Sequence, residues 1–142
     1  MIDIIRPGQR IIKSIFLAGP SRRDGILTPW REEAIQIMKD NGYNGYVFSP
    51  EPFVNNYTYQ IDWENFHLTC ASRIVFWIPR DLDTLPGFTT NIEWGEWMKS
   101  GKVILGYPIG TPKIDYIQYK AECYNVPVYH DLKSTIIRAI SD

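Results

Sequence analysis

The apolar positions of this chain change period several times between its ends. Short apolar runs bounded by Gly, Pro, Asn or Ser alternate with longer segments whose apolar residues recur every three or four positions. The first pattern belongs to buried strands and the second to amphipathic helices. The runs predict strands over residues 14–17, 46–48, 74–78, 102–106 and 126–129. Helices are expected over 28–41, 61–71, 113–124 and 132–140, with a further one carrying Glu93 and closed by Ser100-Gly101. Thr28 reads as an N-cap with Pro29 at the first helical position, Ala34, Ile35 and Met38 as the core face, and Gly42 as the stop. Ser49-Pro50-Glu51-Pro52 breaks any regular element, and Pro127 marks the last strand as an edge. Strand and helix alternate, so the expected fold class is α/β. The expectation is a three-layer sandwich with a mainly parallel sheet of about five strands, folded as one domain over residues 1–142.

Composition narrows the function classes. The net charge is −1 with no long run of one sign, so the chain lacks the broad basic footprint of a nucleic-acid-polymer binder. Five Trp and nine Tyr favour an oligomer or an aromatic-lined pocket, although aromatic cores are also ordinary. Cys70 and Cys123 have no CxxC spacing, and His67 and His130 do not complete a ligand set, so neither a metal nor another cofactor is expected. Both cysteines fall in expected helices and read as buried free thiols. No apolar run is long enough to span a bilayer. Residues 1–9 carry charges and a Pro-Gly turn in place of a secretory leader, so a cytoplasmic protein with no membrane partner is expected.

Candidate chemistry gathers where parallel strands end. In an open α/β sheet the loops after the carboxyl ends of the strands meet at one rim, and ligands bind there. The loop after the strand Arg73-Ile74-Val75-Phe76-Trp77-Ile78 contains Leu85-Pro86-Gly87-Phe88-Thr89-Thr90-Asn91-Ile92-Glu93-Trp94-Gly95. It offers the hydroxyls of Thr89 and Thr90, the amide of Asn91 and the carboxylate of Glu93. Thr90-x-x-Glu93 is also the pattern of a capping box, which would occupy both side chains with orphan helix amides. The two roles compete for one carboxylate.

Two further groups share that rim. In the first loop, Gly19 and Gly25 allow close backbone approach, Pro20 shapes the turn, Ser21 offers a hydroxyl, and Arg22 and Arg23 offer forks for phosphate or carboxylate. Neither a Walker loop nor a G-x-G-x-x-G fingerprint is present, so the loop reads as an anion cradle or as a solvated turn. Asp62-Trp63-Glu64 opens the expected helix before the central strand. Acidic residues there suit the helix dipole, and a second carboxylate near Glu93 would bind sugar hydroxyls or move a proton. Pro79-Arg80-Asp81-Leu82-Asp83 places Arg80, Asp81 and Asp83 beside the ligand or in solvent.

In this order, Phe16-Leu17-Ala18-Gly19-Pro20, Trp30-Arg31-x-x-Ala34, Pro50-Glu51, Trp63-Glu64, Phe76-Trp77-Ile78-Pro79-Arg80 and Thr89-Thr90-Asn91-x-Glu93-x-Gly95 resemble the nucleoside 2-deoxyribosyltransferase family. The likeness is to its short bacterial and phage-type branch, and extends to the related 2′-deoxynucleoside 5′-phosphate N-hydrolases. It spans Ile15 to Tyr107. The resemblance implies a Rossmann-like or flavodoxin-like fold, a nucleoside or nucleotide substrate, a role in nucleotide salvage and a homodimer or larger assembly. It makes Glu93 the nucleophile, gives Glu64 the sugar or base, and assigns Gly19 to Arg23 to a 5′-phosphate. Trp63, Phe88 and Trp94 would stack on a base or pack in the core. The family's transferases place an Asp six residues before the nucleophile as proton donor. Position 87 here is Gly87, which leaves Asp81 or Asp83 as the replacement. Ala71-Ser72 stands where relatives often have Ala-Asp. The readings left open are a transferase, an N-glycoside hydrolase and a catalytically silent nucleotide-binding module.

Overall fold

The alternating runs assemble into one sheet. The computed structural model describes residues 2–3, 13–21, 29–50 and 57–141. Its strands are β1 (Ile2–Asp3), β2 (Ser14–Ala18), β3 (Tyr46–Phe48), β4 (Arg73–Trp77), β5 (Val103–Gly106) and β6 (Val128–Tyr129). Its helices are α1 (Pro29–Asp40), α2 (Tyr57–Cys70), α3 (Phe88–Trp97), α4 (Asp115–Cys123) and α5 (Leu132–Ile140). The sheet order is β1-β3-β2-β4-β5-β6, with β1 antiparallel to β3 and the other neighbours parallel. The five parallel strands, taken in chain order, lie 2-1-3-4-5, the flavodoxin-like arrangement. The chain leaves β2 through α1 on one side and returns through α2 to β4 on the other, so the topological switch point lies between β2 and β4.

Side-chain alternation on the strands makes two cores. Phe16, Ala18, Ile74, Phe76 and Leu105 meet Leu68 of α2, Trp94 of α3 and Ile117 and Ala121 of α4. Ile15, Leu17, Val75, Trp77 and Ile104 meet Trp30, Ala34 and Met38 of α1 and Leu132, Ile136 and Ala139 of α5. Both faces of β2 and β4 are therefore covered, which is why those strands read as unbroken apolar runs. β6 is the sheet edge that Pro127 signals.

Three expectations need correction. α2 begins at Tyr57, so Asp62, Trp63 and Glu64 lie in its interior and the first-turn dipole account does not apply to them. Its start is hidden because aromatic residues stand on several of its faces and blur the helical period. Cys70 and Cys123 are exposed, not buried. Each is the last residue of its helix, where Leu68, Ala71 and Ala121 already fill the core. The strand β1 lies in a segment that reads from its residues only as a charged turn. The cap expected at Thr28 lies outside the described residues, as do Glu51 and Pro52.

Candidate active site

Glycine makes the switch-point turns possible. At Gly19, a Cβ would collide with the carbonyl of Trp77 and stand 2.7 Å from the Trp30 ring. Only a residue without a side chain lets the first loop pass this close to β4. At the other wall, Gly87 adopts φ 70°, ψ 42° in the left-handed region and forms the N-cap of α3 without a side-chain capping bond. α3 therefore starts at Phe88, Thr90 is a buried residue of its first turn, and Glu93 lies further along the helix. The capping box does not form, and Glu93 is released from that role.

Between these turns opens a cleft of about 250 Å³. Gly19, Pro20 and Ser21 line it from the first loop, and Arg31 from α1. Tyr57, Gln60, Ile61 and Glu64 form one stripe of α2, as their helical spacing requires. Pro86, Gly87, Phe88, Thr89, Thr90 and Glu93 complete the opposite wall. Two carboxyl side chains from different helices thus share one small cleft at the carboxyl ends of β2 and β4.

That placement alters their ionisation. Burial raises the Glu93 carboxyl to about 8, the neighbouring Glu64 and then Glu96 adding to the rise while Arg31 opposes it. Burial also raises Glu64, against a hydrogen bond from Gln60 Nε2 at 3.4 Å and the charge of Arg31. Desolvation and a like neighbour both penalise the charged form. Burial and its like-charged neighbours thus favour the protonated form of Glu93.

Arg31 belongs to this set, although in the sequence the Trp30-Arg31-x-x-Ala34 fragment enters only as part of a resemblance and with no role for the arginine. It is 4% exposed and donates from Nε to Leu17 O at 3.3 Å, and from its two terminal nitrogens to Ser21 Oγ and Gly19 O, each at 2.8 Å. Trp30 Nε1 donates to Pro20 O at 3.2 Å. Tyr57 and Gln60 are likewise hidden in the sequence, because the helix that presents them reads as starting later.

Other expected site residues lie elsewhere. Asp83 is exposed in the turn closed by Asp81 and Leu85 and does not line the cleft. Asp81 accepts the amides of Asp83 and Thr84, which holds its carboxyl below the usual range. Arg80 is buried away from the cleft, donating to Lys113 O at 2.7 Å and to Asn91 Oδ1, so this pair ties α3 to the approach of α4. Trp63 stacks on His67 at 4.1 Å, and Trp94 meets Phe76 edge-on at 5.5 Å, so both belong to the core. Phe88 alone of the three aromatics lines the cleft. Arg22 and Arg23 lie outside the described residues. Ser72 stands at the opposite ends of the strands, where it exchanges hydrogen bonds with Ser14. Among the described residues no group of three His, Cys, Asp or Glu is placed to hold a metal ion, and no helix is long and apolar enough to cross a membrane.

Fold and cleft together define a flavodoxin-like α/β domain with a carboxyl pair at its switch point. The family model for nucleoside 2-deoxyribosyltransferase-like proteins matches residues 12–110, and the chain belongs to that family. The match covers more than half of the chain and contains every residue that lines the cleft. Membership makes this a domain of a nucleoside deoxyribosyltransferase-like enzyme family, with small nucleosides or nucleotides as the implied substrate class. Comparison with curated proteins finds no match.

Proposed function

We propose that the protein transfers a 2-deoxyribosyl group between nucleobases through a covalent bond to Glu93. The observation that carries this reading is the position of Glu93: half-buried, unused as a helix cap, and sharing the switch-point cleft with Glu64. Once ionised, the Glu93 carboxylate attacks the anomeric carbon. The N-glycosidic bond breaks, its electron pair passes to the base nitrogen, and the base leaves with a proton. A nitrogen of a second base then attacks the same carbon, loses its proton and frees the carboxylate. Two displacements retain configuration, the logic of paired carboxylates in retaining glycosidases. Glu64, Ser21 and Thr90 supply polar groups for sugar hydroxyls. With Asp83 off the cleft, Glu64 becomes the carboxyl in position to carry the proton, its own ionisation resisted by burial.

Water as the second nucleophile would make the protein an N-hydrolase. The cation of Arg31 and the hydroxyl of Ser21 beside Gly19 favour that reading for 5′-monophosphates. The test is incubation with deoxynucleosides and their monophosphates, with and without a second free base, with products read by chromatography. A new nucleoside formed only with the acceptor supports transfer, whereas free base with sugar or sugar phosphate supports hydrolysis. Absence of turnover with retained binding would identify a silent binding module. We also propose a homodimer or larger assembly, supported by Tyr57 and Phe88, exposed at the cleft, and by the exposed Ile92 of α3. A monomeric mass by light scattering would overturn it.

A further inference from the structure

We propose that Arg31 is a positioning residue for the glycosidic reaction, a guanidinium pinned by three hydrogen bonds so that its positive charge stands at a fixed place in the cleft shared by Glu93 and Glu64. The inference rests on the reading of Glu93 as nucleophile and names what regulates it.

The geometry begins with the anchoring. Arg31 reaches from α1 beneath the first loop and donates to Leu17 O, Gly19 O and Ser21 Oγ. Its guanidinium lies 4.6 Å from the Trp30 ring centroid, and Trp30 holds the intervening Pro20 carbonyl. A planar fork with several donors is suited to this; a lysine ammonium is not, because it is a single point on a flexible stem. The same guanidinium lines the cleft with Glu64 and Glu93. Among the described residues one side chain therefore both braces the first loop and brings a positive charge to the cleft.

The charge has a defined task. Among the described residues, the titratable groups facing Glu93 are Glu64 and Tyr57 from α2, Arg31 from α1 and Glu96 from its own helix. Arg31 is the cation of that set. Burial, Glu64 and Glu96 hold the proton on Glu93, and Arg31 draws it off. A carboxylic acid is a poor nucleophile, so the fraction of enzyme ready to attack at neutral pH depends on this opposing charge. In a low-dielectric cleft one such charge moves a neighbouring carboxyl by about one pH unit or more. Arg31 acts through Glu93, and a role limited to bracing the loop would lower turnover without moving its pH dependence.

The test compares the parent protein with Arg31→Gln and Arg31→Lys. Two quantities are measured on each: the pH profile of kcat/KM for deoxyribosyl transfer, and the titration of the Glu93 carboxyl by carbon-detected NMR in the absence of substrate. We expect the rising limb of the profile and the NMR midpoint to move upward together by about one pH unit in Arg31→Gln, which is about a tenfold loss of kcat/KM below the limb. Arg31→Lys, with its charge retained but displaced, should move both by less. Limb and midpoint unchanged, with kcat/KM lowered equally at all pH values, would overturn the proposal and leave Arg31 as a loop brace. If Arg31→Gln does not fold, Arg31→Lys decides: an upward midpoint supports the inference and an unmoved one overturns it. A parent protein without turnover defeats the transferase reading alone, because the NMR midpoint still reports on Arg31.

Discussion

The two ends of the strands treat polar groups in opposite ways. At the amino edge of the sheet, Ser14 and Ser72 satisfy one another across β2 and β4, with bonds of 2.6–3.0 Å. Lys102 places its ammonium on the carbonyls of Leu68, Thr69 and Ala71 at the end of α2, and Arg73 binds the carbonyls of Arg138, Ala139 and Ser141 at the end of α5. Those cations meet the negative ends of two helix dipoles and the orphan carbonyls there. At the carboxyl edge, two partly buried carboxyls share one cleft, and among the described residues Arg31 is the cation that lines it with them. The contrast separates an edge where every named polar group is matched from one where buried carboxyls cost stability, as expected of a site kept for the proposed chemistry.

The sharpest way to break the comparison is Glu93→Gln. If the carboxyl edge is a catalytic site, this neutral isostere lowers turnover by about 10³-fold or more while leaving fold and nucleoside binding in place. Turnover within about tenfold of the parent, measured by product chromatography, would remove Glu93 from the nucleophile's role.

The same variant has a stability consequence with a definite sign. Folding raises the Glu93 carboxyl from its ordinary 4.5 to about 8. The folded state therefore binds this proton more tightly than the unfolded chain, and its contribution to stability is lost as pH rises from about 4.5 through about 8. The amide of the variant does not titrate, so Glu93→Gln should be more stable than the parent at about pH 9 by roughly 2–4 kcal/mol and differ little at about pH 5. Thermal or urea melts at the two pH values check this; a gap that does not widen with pH contradicts the desolvation of Glu93.

Amino-edge substitutions should show the converse. Lys102→Met leaves three carbonyls at the end of α2 without their donor and should cost about 1–3 kcal/mol in denaturant melts, with kcat unchanged. Ser72→Ala removes the two bonds made by the Ser72 hydroxyl, leaving its amide on Ser14 Oγ, and should cost about 1 kcal/mol, again without effect on turnover. A change in turnover with unchanged stability in either variant would join the two edges functionally. The smallest effect is expected at Asp83→Asn. A side chain exposed outside the cleft should alter kcat/KM by less than about twofold, within the range of surface substitutions. A large loss in the rate profile would restore Asp83 as the proton donor.

Legibility follows the physical origin of each signal. The parallel strands are readable because burial on two faces demands unbroken apolar runs, and α5 because its apolar residues recur at the helical period. Pro127 announces the edge it occupies. α2 reads too short because Tyr57, Tyr59, Trp63 and Phe66 distribute aromatic surface around the helix, and its early start conceals Tyr57 and Gln60 as cleft residues. Arg80 and Asn91 look like ligand groups because arginine and amide residues near a strand end often are. Their mutual hydrogen bond and the Lys113 carbonyl make them a brace between elements.

The sequence by itself determined that this is an α/β domain, and it pointed to the loops after the carboxyl ends of the central strands, with Glu93 as the first candidate there. Those conclusions rest on period and on strand polarity, which are local properties of the chain. Tertiary structure alone decided that Gly87 starts α3 and frees Glu93, that Glu64 and Arg31 share its cleft, and that Asp83 and Arg80 do not. Each of these depends on where separate elements come to rest against one another. A carboxyl's proton affinity follows the charges and solvent around it in space, and those neighbours come from helices distant in the chain.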